Sequence, residues 1–266
     1  MADPFQNVSA AGEAFIAAFT TQLEVRAAEP AMRAIVEAYL DDVDWSGVSL
    51  AVELGCGTGP IARAMAARCV NGRVLGTEPS VELLDHGRGL AAGISNLDLE
   101  VGDGAATGLE DASADVVVFH TVLSHVPDPC VLLAEARRIL RPGGTLVVCD
   151  GDFSKSSLAA TDNDPLNICA RHFAQNYVTD PHLTGKLRAL VAGAGFTQRA
   201  FRVTSRLVTD TPGMRAWVKL SGDDLAAQGL IGRPLADALL EEHDRRVASG
   251  TLYGFQPFVT LVADRD

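Results

Sequence analysis

Between Ser49 and Asp152 short runs of β-branched residues alternate with stretches of helical periodicity, and this pattern constrains the fold more than any other feature. Strands separated by helices cannot pair as hairpins. They read as βαβ units, whose strands lie parallel with helices on both faces. "SLAVEL", "RVLGTE", "LDLEVGD", "ADVVVFH" and "GTLVVCD" are the five expected strands. A helix with Ile61, Ala64 and Met65 on one face follows the first, begun at Pro60 and ended at Asn71-Gly72. Val131, Leu132, Ala136, Ile139 and Leu140 line another, which stops at Arg141-Pro142-Gly143-Gly144. The expected core is a doubly wound α/β sheet.

The flanks follow other rules. Phe15, Ile16, Phe19 and Leu23, then Met32, Ile35, Val36 and Tyr39, predict two amphipathic helices ahead of the first strand. Downstream, "LTGKLRALVAGAGF" is a helix ending at Gly195, "RAFRVTSRLV" a strand and "FQPFVTLVAD" a last strand. The chain therefore divides into N-terminal lid helices (1–48), an α/β core (49–152), a cap with a returning helix and strand (153–208), a helical insertion (209–250, with a helix expected from Pro234 to Val247) and a last core strand (251–266).

The stretch "VELGCGTGP" between the first strand and its helix carries Gly55, Gly57 and Gly59. Bare backbone there lets a ligand approach free N–H groups at a helix N-terminus. A dinucleotide fingerprint reads GxGxxG, whereas this loop reads GxGxG with Glu53 just upstream, where a diphosphate meets negative charge. Glu78 ends the second strand, placed to accept hydrogen bonds from both hydroxyls of a ribose, although a solvated strand end is the plainer alternative. A ribose, no diphosphate and a cationic group together describe S-adenosylmethionine.

"VELGCGTG", the acid of "GTEPS", "VGDGAATGLEDASADVVVFHTVLSHVPDP" and "ARRILRPGGTLVV" resemble, in order, the motifs of class I S-adenosylmethionine-dependent methyltransferases. Within that family they resemble the branch that includes ubiquinone- and menaquinone-biosynthesis enzymes and natural-product methyltransferases. The resemblance is firm over residues 49–152 and implies a Rossmann-like, doubly wound, seven-stranded, mainly parallel sheet with α-helical lid segments. It implies that Glu53, Gly55, Cys56, Gly57 and Gly59 surround the methionine part of the cofactor. It also implies Glu78 on the ribose, Pro79 against the adenine, Asp103 on the adenine amine, Gly104 near a ring nitrogen, and His120 beside the methionine amino group. A turn residue in "GDG" is the alternative for Asp103. Related lid helices bring a polar side chain to the cofactor carboxylate, and Arg26 is the candidate here; an exposed helix arginine is the alternative.

Transfer of an activated methyl mainly requires a nucleophile held close and aligned, so a base is optional. The candidate bases are His120, His125, His172 and Tyr177, with packing, helix-start or cap-surface roles as the alternatives. Asp150 and Asp152 in "CDGDF" are candidates for anchoring the acceptor or for a turn. No metal site is expected: the five cysteines lack a CxxC pair, and His120 ends the strand where metal-dependent relatives carry an acid. Phe5, Phe15, Phe19, Phe153, Phe173, Trp217, Tyr253 and Phe255 can wall a pocket or pack the caps. A net charge of −12 repels phosphate backbones, which argues against nucleic acid as a partner and for a small organic acceptor. No apolar run reaches membrane-spanning length and no signal peptide is evident, so no membrane insertion and a cytoplasmic location are expected. The leading reading is methyl transfer to oxygen, nitrogen or carbon of a secondary-metabolite or quinone-like molecule. The alternative is a protein that binds S-adenosylmethionine in a cyclase-like or regulatory role. Acceptor identity and oligomeric state stay open.

Overall fold

The computed structural model describes residues 3–209 and 214–266; the start of the expected insertion, residues 210–213, lies outside the described residues. The five expected core strands are β1 (Leu50–Leu54), β2 (Arg73–Glu78), β3 (Leu97–Val101), β4 (Ala114–His120) and β5 (Leu140–Gly151). They join β6 (Phe196–Val208) and β7 (Gly254–Arg265) in one seven-stranded sheet of order β3-β2-β1-β4-β5-β7-β6. All neighbours up to β5 are parallel, and β7 is antiparallel to both β5 and β6. The order in which successive strands are laid down reverses between β1 and β4, which stay parallel, and open α/β sheets bind ligands outside the strand ends at such a switch point.

Each central strand is apolar on both faces because helices cover both. One layer holds α2 (Pro30–Leu40) and α3 (Pro60–Arg68), whose Met32, Ile35, Ile61 and Met65 pack on Ala51, Val116 and Val147. The other holds α5 (Pro129–Ile139) and α7 (Leu183–Gly193), with Leu133, Ile139, Leu187 and Val191 on Val52, Val117 and Leu146. Burying strands on both faces removes the polar alternation of a half-exposed sheet.

The fifth strand starts earlier than Pro142-Gly143-Gly144 suggests. Leu140 already pairs with Ala114, and a register shift before Val116 absorbs the Pro-Gly-Gly segment. Asp115 fixes this corner by accepting from the Ser49 and Leu50 N–H groups and from Arg141.

Outside the sheet, α1 (Glu13–Ala28) precedes α2, and α4 (Val81–Leu90) follows β2. Two further cap helices, α6 (Pro165–Asn176) and α8 (Arg215–Ala227), join α9 (Arg233–Ala248), the helix expected in the insertion. Gly222 obscures α8 in the sequence. In the fold it faces α9, where a Cβ would make ordinary contact with Ala236 at 3.5 Å. The caps share a core of Phe153, Leu166, Phe173, Trp217, Val218 and Leu239. All five cysteines are free, and among the described residues no helix is long and apolar enough to cross a membrane.

Candidate functional site

β1 delivers the glycine loop to the switch point. The Gly55 and Cys56 N–H groups both donate to the Thr77 carbonyl, at 2.8 and 2.9 Å, tying the loop to the end of β2. Gly55, Gly57 and Gly59 all take left-handed φ, at 76°, 57° and 74°. Glu78 reaches across: its Oε2 accepts the Gly57 N–H at 3.0 Å and its Oε1 the Ser80 N–H at 3.1 Å. Burial raises its carboxyl pKa while those two N–H groups oppose the rise. Glu78 is therefore buried at the loop, where a solvated strand end would have been exposed. Cys56 is buried too, its Sγ 3.0 Å from where a Gly76 Cβ would stand, and burial raises its thiol well above the usual range.

Glu53 is 1% exposed, and its Oε2 has no hydrogen-bond partner among the described residues. Burial pushes its carboxyl well up, opposed by the Ala62 N–H. A buried acceptor left unpaired costs about 1–3 kcal/mol, so the position calls for an incoming donor. The ammonium of an amino-acid ligand is such a donor, and with the bare loop beside it the site fits S-adenosylmethionine. Pro79 and Asp103, the residues expected at the adenine, are exposed, with Asp103 Oδ1 accepting the Ala105 N–H at 2.8 Å in a local turn. A Cβ on neighbouring Gly104 would make only ordinary contacts with Leu54 and Leu132.

Sequence reasoning missed the clamp that closes α1 on this loop. Glu24 accepts from the Thr58 hydroxyl at 2.6 Å and from Arg63 at 2.7 Å, while Arg63 also donates to the Thr58 carbonyl at 2.9 Å. Thr58 in the loop and Arg63 on the first turn of α3 were the visible half of that signal. Arg26, on the same helix, donates to the Thr121 hydroxyl at 3.0 Å, and Thr121 itself stands at a left-handed φ of 55°. Such a conformation is uncommon for a β-branched residue and is held by the Thr121 N–H on the Cys149 carbonyl at 2.8 Å. Burial first and the Arg206 charge second lower the Arg26 pKa to about 10. This is a half-buried guanidinium at the sheet edge, with room in its donor set for a carboxylate.

The four candidate bases fall into two groups. His120 ends β4 with Nδ1 3.1 Å from the Tyr39 hydroxyl, and His125 lies in the following turn with Nδ1 2.9 Å from Asp3 Oδ2. His172 and Tyr177 instead tie α6 to α8: His172 Nε2 meets Asp224 Oδ2 at 2.7 Å, and Tyr177 donates to the Leu220 carbonyl at 3.2 Å. Burial raises the Tyr177 phenol to about 12. Asp150 is buried and accepts from the Ser124 N–H and hydroxyl and from the Gly151 N–H, so it anchors the His125 turn. Asp152 accepts from the Ser154 hydroxyl. Phe153 joins the groups, 5.6 Å from the His125 ring, 6.4 Å from Phe173 and 5.7 Å from Trp217.

Burial, with the Arg26 charge second, lowers the His120 pKa from 6.5 to about 3. The unfolded chain then takes up a proton that the native state refuses. Stability is full above pH 6.5 and falls as pH drops toward 3, by ~3 kcal/mol over the first two units. Unfolding curves should flatten over that window in His120→Gln, because the raised carboxyls of Glu53, Glu78 and Asp150 act alike in both proteins. Parallel curves would refute this assignment.

Residues 52–148 match the methyltransferase domain family. An uncharacterized 37.1 kDa protein in transposon TN4556 of Streptomyces fradiae is 34% identical over 175 residues, 65% of this chain and 51% of that protein. Demethylmenaquinone methyltransferase of Staphylococcus aureus is 38% identical over 100 residues, 37% of this chain and 41% of the enzyme. The chain thus spans about half or less of the length of these curated relatives. The crystal structure of the [4+2]-cyclase SpnF superposes with a TM-score of 0.58 at 17% identity, covering 88% of this chain and 82% of that one, a likeness of fold. The ordered motifs, the sheet order and the matched segment converge: residues 52–148 are a methyltransferase domain, of the class that uses S-adenosylmethionine.

Proposed function

We propose that the chain catalyses methyl transfer to an oxygen, nitrogen or carbon nucleophile of a small, moderately apolar acceptor of secondary-metabolite or quinone-like type. The observation that carries the reading is the orphaned Glu53 oxygen beside a loop of three left-handed glycines. S-adenosylmethionine supplies a methyl already activated on a sulfonium. The residues of the chain then bind, orient and exclude water. Glu53 receives the amino group, Arg26 the carboxylate, Glu78 the ribose hydroxyls, and Asp103 with Pro79 the adenine. For Glu78 to take up the ribose, its bonds to the Gly57 and Ser80 N–H groups must share the carboxylate, which has about four acceptor positions. The clamped α1 shields the loop, and the aromatic side chains around Phe153 offer an apolar wall for the acceptor. Support for a quinone-like acceptor comes from the name of the staphylococcal relative.

Glu78→Ala should raise the dissociation constant for S-adenosylhomocysteine ten- to a hundredfold, roughly 1.5–3 kcal/mol, in calorimetry. Unchanged affinity would remove Glu78 from the site. Incubation of the intact chain with S-adenosylmethionine and a panel of phenols, quinols and amines tests the reaction. A product heavier by one methylene unit supports methyl transfer, and an isomer of unchanged mass assigns the cyclase-like role instead.

A further inference from the structure

His120 and His125 lie five residues apart at the carboxyl end of β4, yet opposite kinds of partner hold their rings. Tyr39 is fully buried, and among the described residues its hydroxyl proton has one acceptor, His120 Nδ1 at 3.1 Å. A phenol held in this way donates, so Nδ1 carries the lone pair and Nε2 the hydrogen. His120 is thereby a hydrogen-bond donor through Nε2, with no free lone pair for a proton.

His125 is the reverse. Its Nδ1 meets Asp3 Oδ2, which also accepts the Thr179 N–H at 3.0 Å and the Thr179 hydroxyl at 2.9 Å, while Asp3 Oδ1 accepts the Phe5 N–H at 2.9 Å. A carboxylate surrounded by donors is an acceptor, so the hydrogen sits on His125 Nδ1. The lone pair is on Nε2, which no hydrogen bond reaches among the described residues. The charged groups facing this ring are Asp3, ahead of α1, and Asp150 from β5. Phe5 and Phe153 stand edge-on to it at 4.9 and 5.6 Å. A histidine oriented by a carboxylate through one nitrogen, with the other nitrogen unpaired, has the geometry of a general base.

We propose that His125, with Asp3 as its positioning residue, accepts the proton of a hydroxyl carried on an aromatic ring, so that the acceptor is of the phenol class. This rests on the methyl-transfer reading. In the step the acceptor O–H bond breaks, an N–H bond forms at His125 Nε2, and the electron pair stays on oxygen as the nucleophile. The resulting imidazolium is balanced by Asp3 and gives its proton to water once the oxygen has been methylated. A phenol ionises near pH 10, within a few units of imidazole, whereas a neutral amine needs no base before it attacks. A flat ring also suits the edges and faces of Phe5 and Phe153.

The test uses the full chain saturated with S-adenosylhomocysteine and labelled with 15N-histidine. Long-range 15N–1H spectra should show the Nδ1–H form for His125 and the Nε2–H form for His120. Adding 4-nitrophenol, at a pH where the free probe is mostly protonated, should raise its phenolate absorption band on binding. The band should disappear in His125→Gln and fall severalfold in Asp3→Ala. An unprotonated Nδ1 in His125, a band unchanged in His125→Gln, or failure of the probe to bind overturns the proposal. Should His125→Gln not fold, the tautomer in the unaltered protein decides. Failure of S-adenosylhomocysteine itself to bind would instead overturn the methyl-transfer reading.

Discussion

Glu29→Ala should destabilise the chain by about 3–5 kcal/mol in denaturant unfolding and weaken cofactor binding along with it. Glu29 lies at the joint between α1 and α2, and both of its oxygens receive the Arg206 guanidinium, at 2.6 and 2.8 Å. Arg206 is 1% exposed on β6, and its remaining partner is the Gln256 amide oxygen on β7 at 3.0 Å. Removing the carboxylate strands a buried cation with one neutral acceptor, and the Arg26 guanidinium nearby makes the local field more positive still. Deleting both charges is a different matter, because the desolvation cost disappears with them. The double replacement Glu29→Leu, Arg206→Met should recover most of the loss. The joint also sets the angle at which α1 reaches the glycine loop, so calorimetry with S-adenosylhomocysteine should show weaker binding in Glu29→Ala. A loss below about 1 kcal/mol would mean that the ion pair does not hold the lid helices to the sheet.

Glu29 marks the boundary of what could be read along the chain. The five core strands, the two lid helices and the glycine loop were legible because each is a local pattern of spacing, turn residues and burial. Glu78 was legible as an acid beside that loop through its offset, and the structure buries it against the Gly57 N–H, whereas Asp103 lies exposed in a local turn. The side chains that complete the site are paired across large sequence separations: Glu29 with Arg206 over 177 residues, Asp3 with His125 over 122, Tyr39 with His120 over 81. No local periodicity encodes such a partner; it follows from tertiary packing. Arg26 stood out only through the resemblance of its helix to related lids, and its bond to the Thr121 hydroxyl depends on the strained Thr121 backbone, which no local pattern encodes. The helix α8 is hard to see along the chain because the Ser221-Gly222 pair in its middle lowers local helix propensity. The early start of β5 depends on a register shift opposite Ala114, which Pro142-Gly143-Gly144 masks as a turn.

The loop itself supports the other large effect, Gly57→Val. At φ 57° a β-branched residue pays strain of about 1–3 kcal/mol, and a Cβ there would stand 2.9 Å from Leu23 Cδ1 on α1. Leu23 is buried with Val8 and Leu83 and has little room to retreat, which adds overpacking of about 1–3 kcal/mol. Gly57 also donates its N–H to Glu78, so turning the backbone to relieve φ breaks the bond that holds that carboxylate at the loop. Strain, overpacking and loss of that bond act at one position, so the expected outcome is a stability loss of roughly 2–6 kcal/mol with no measurable S-adenosylhomocysteine binding. Gly12→Ala separates the causes. Gly12 also has a left-handed φ, of 90°, but a Cβ there meets nothing within 4 Å. It should cost backbone strain alone and leave binding unchanged. If Gly57→Val binds S-adenosylhomocysteine as the unaltered chain does, the glycine loop is not where the cofactor's methionine lies, and the roles assigned to Glu53 and Glu78 fall with it.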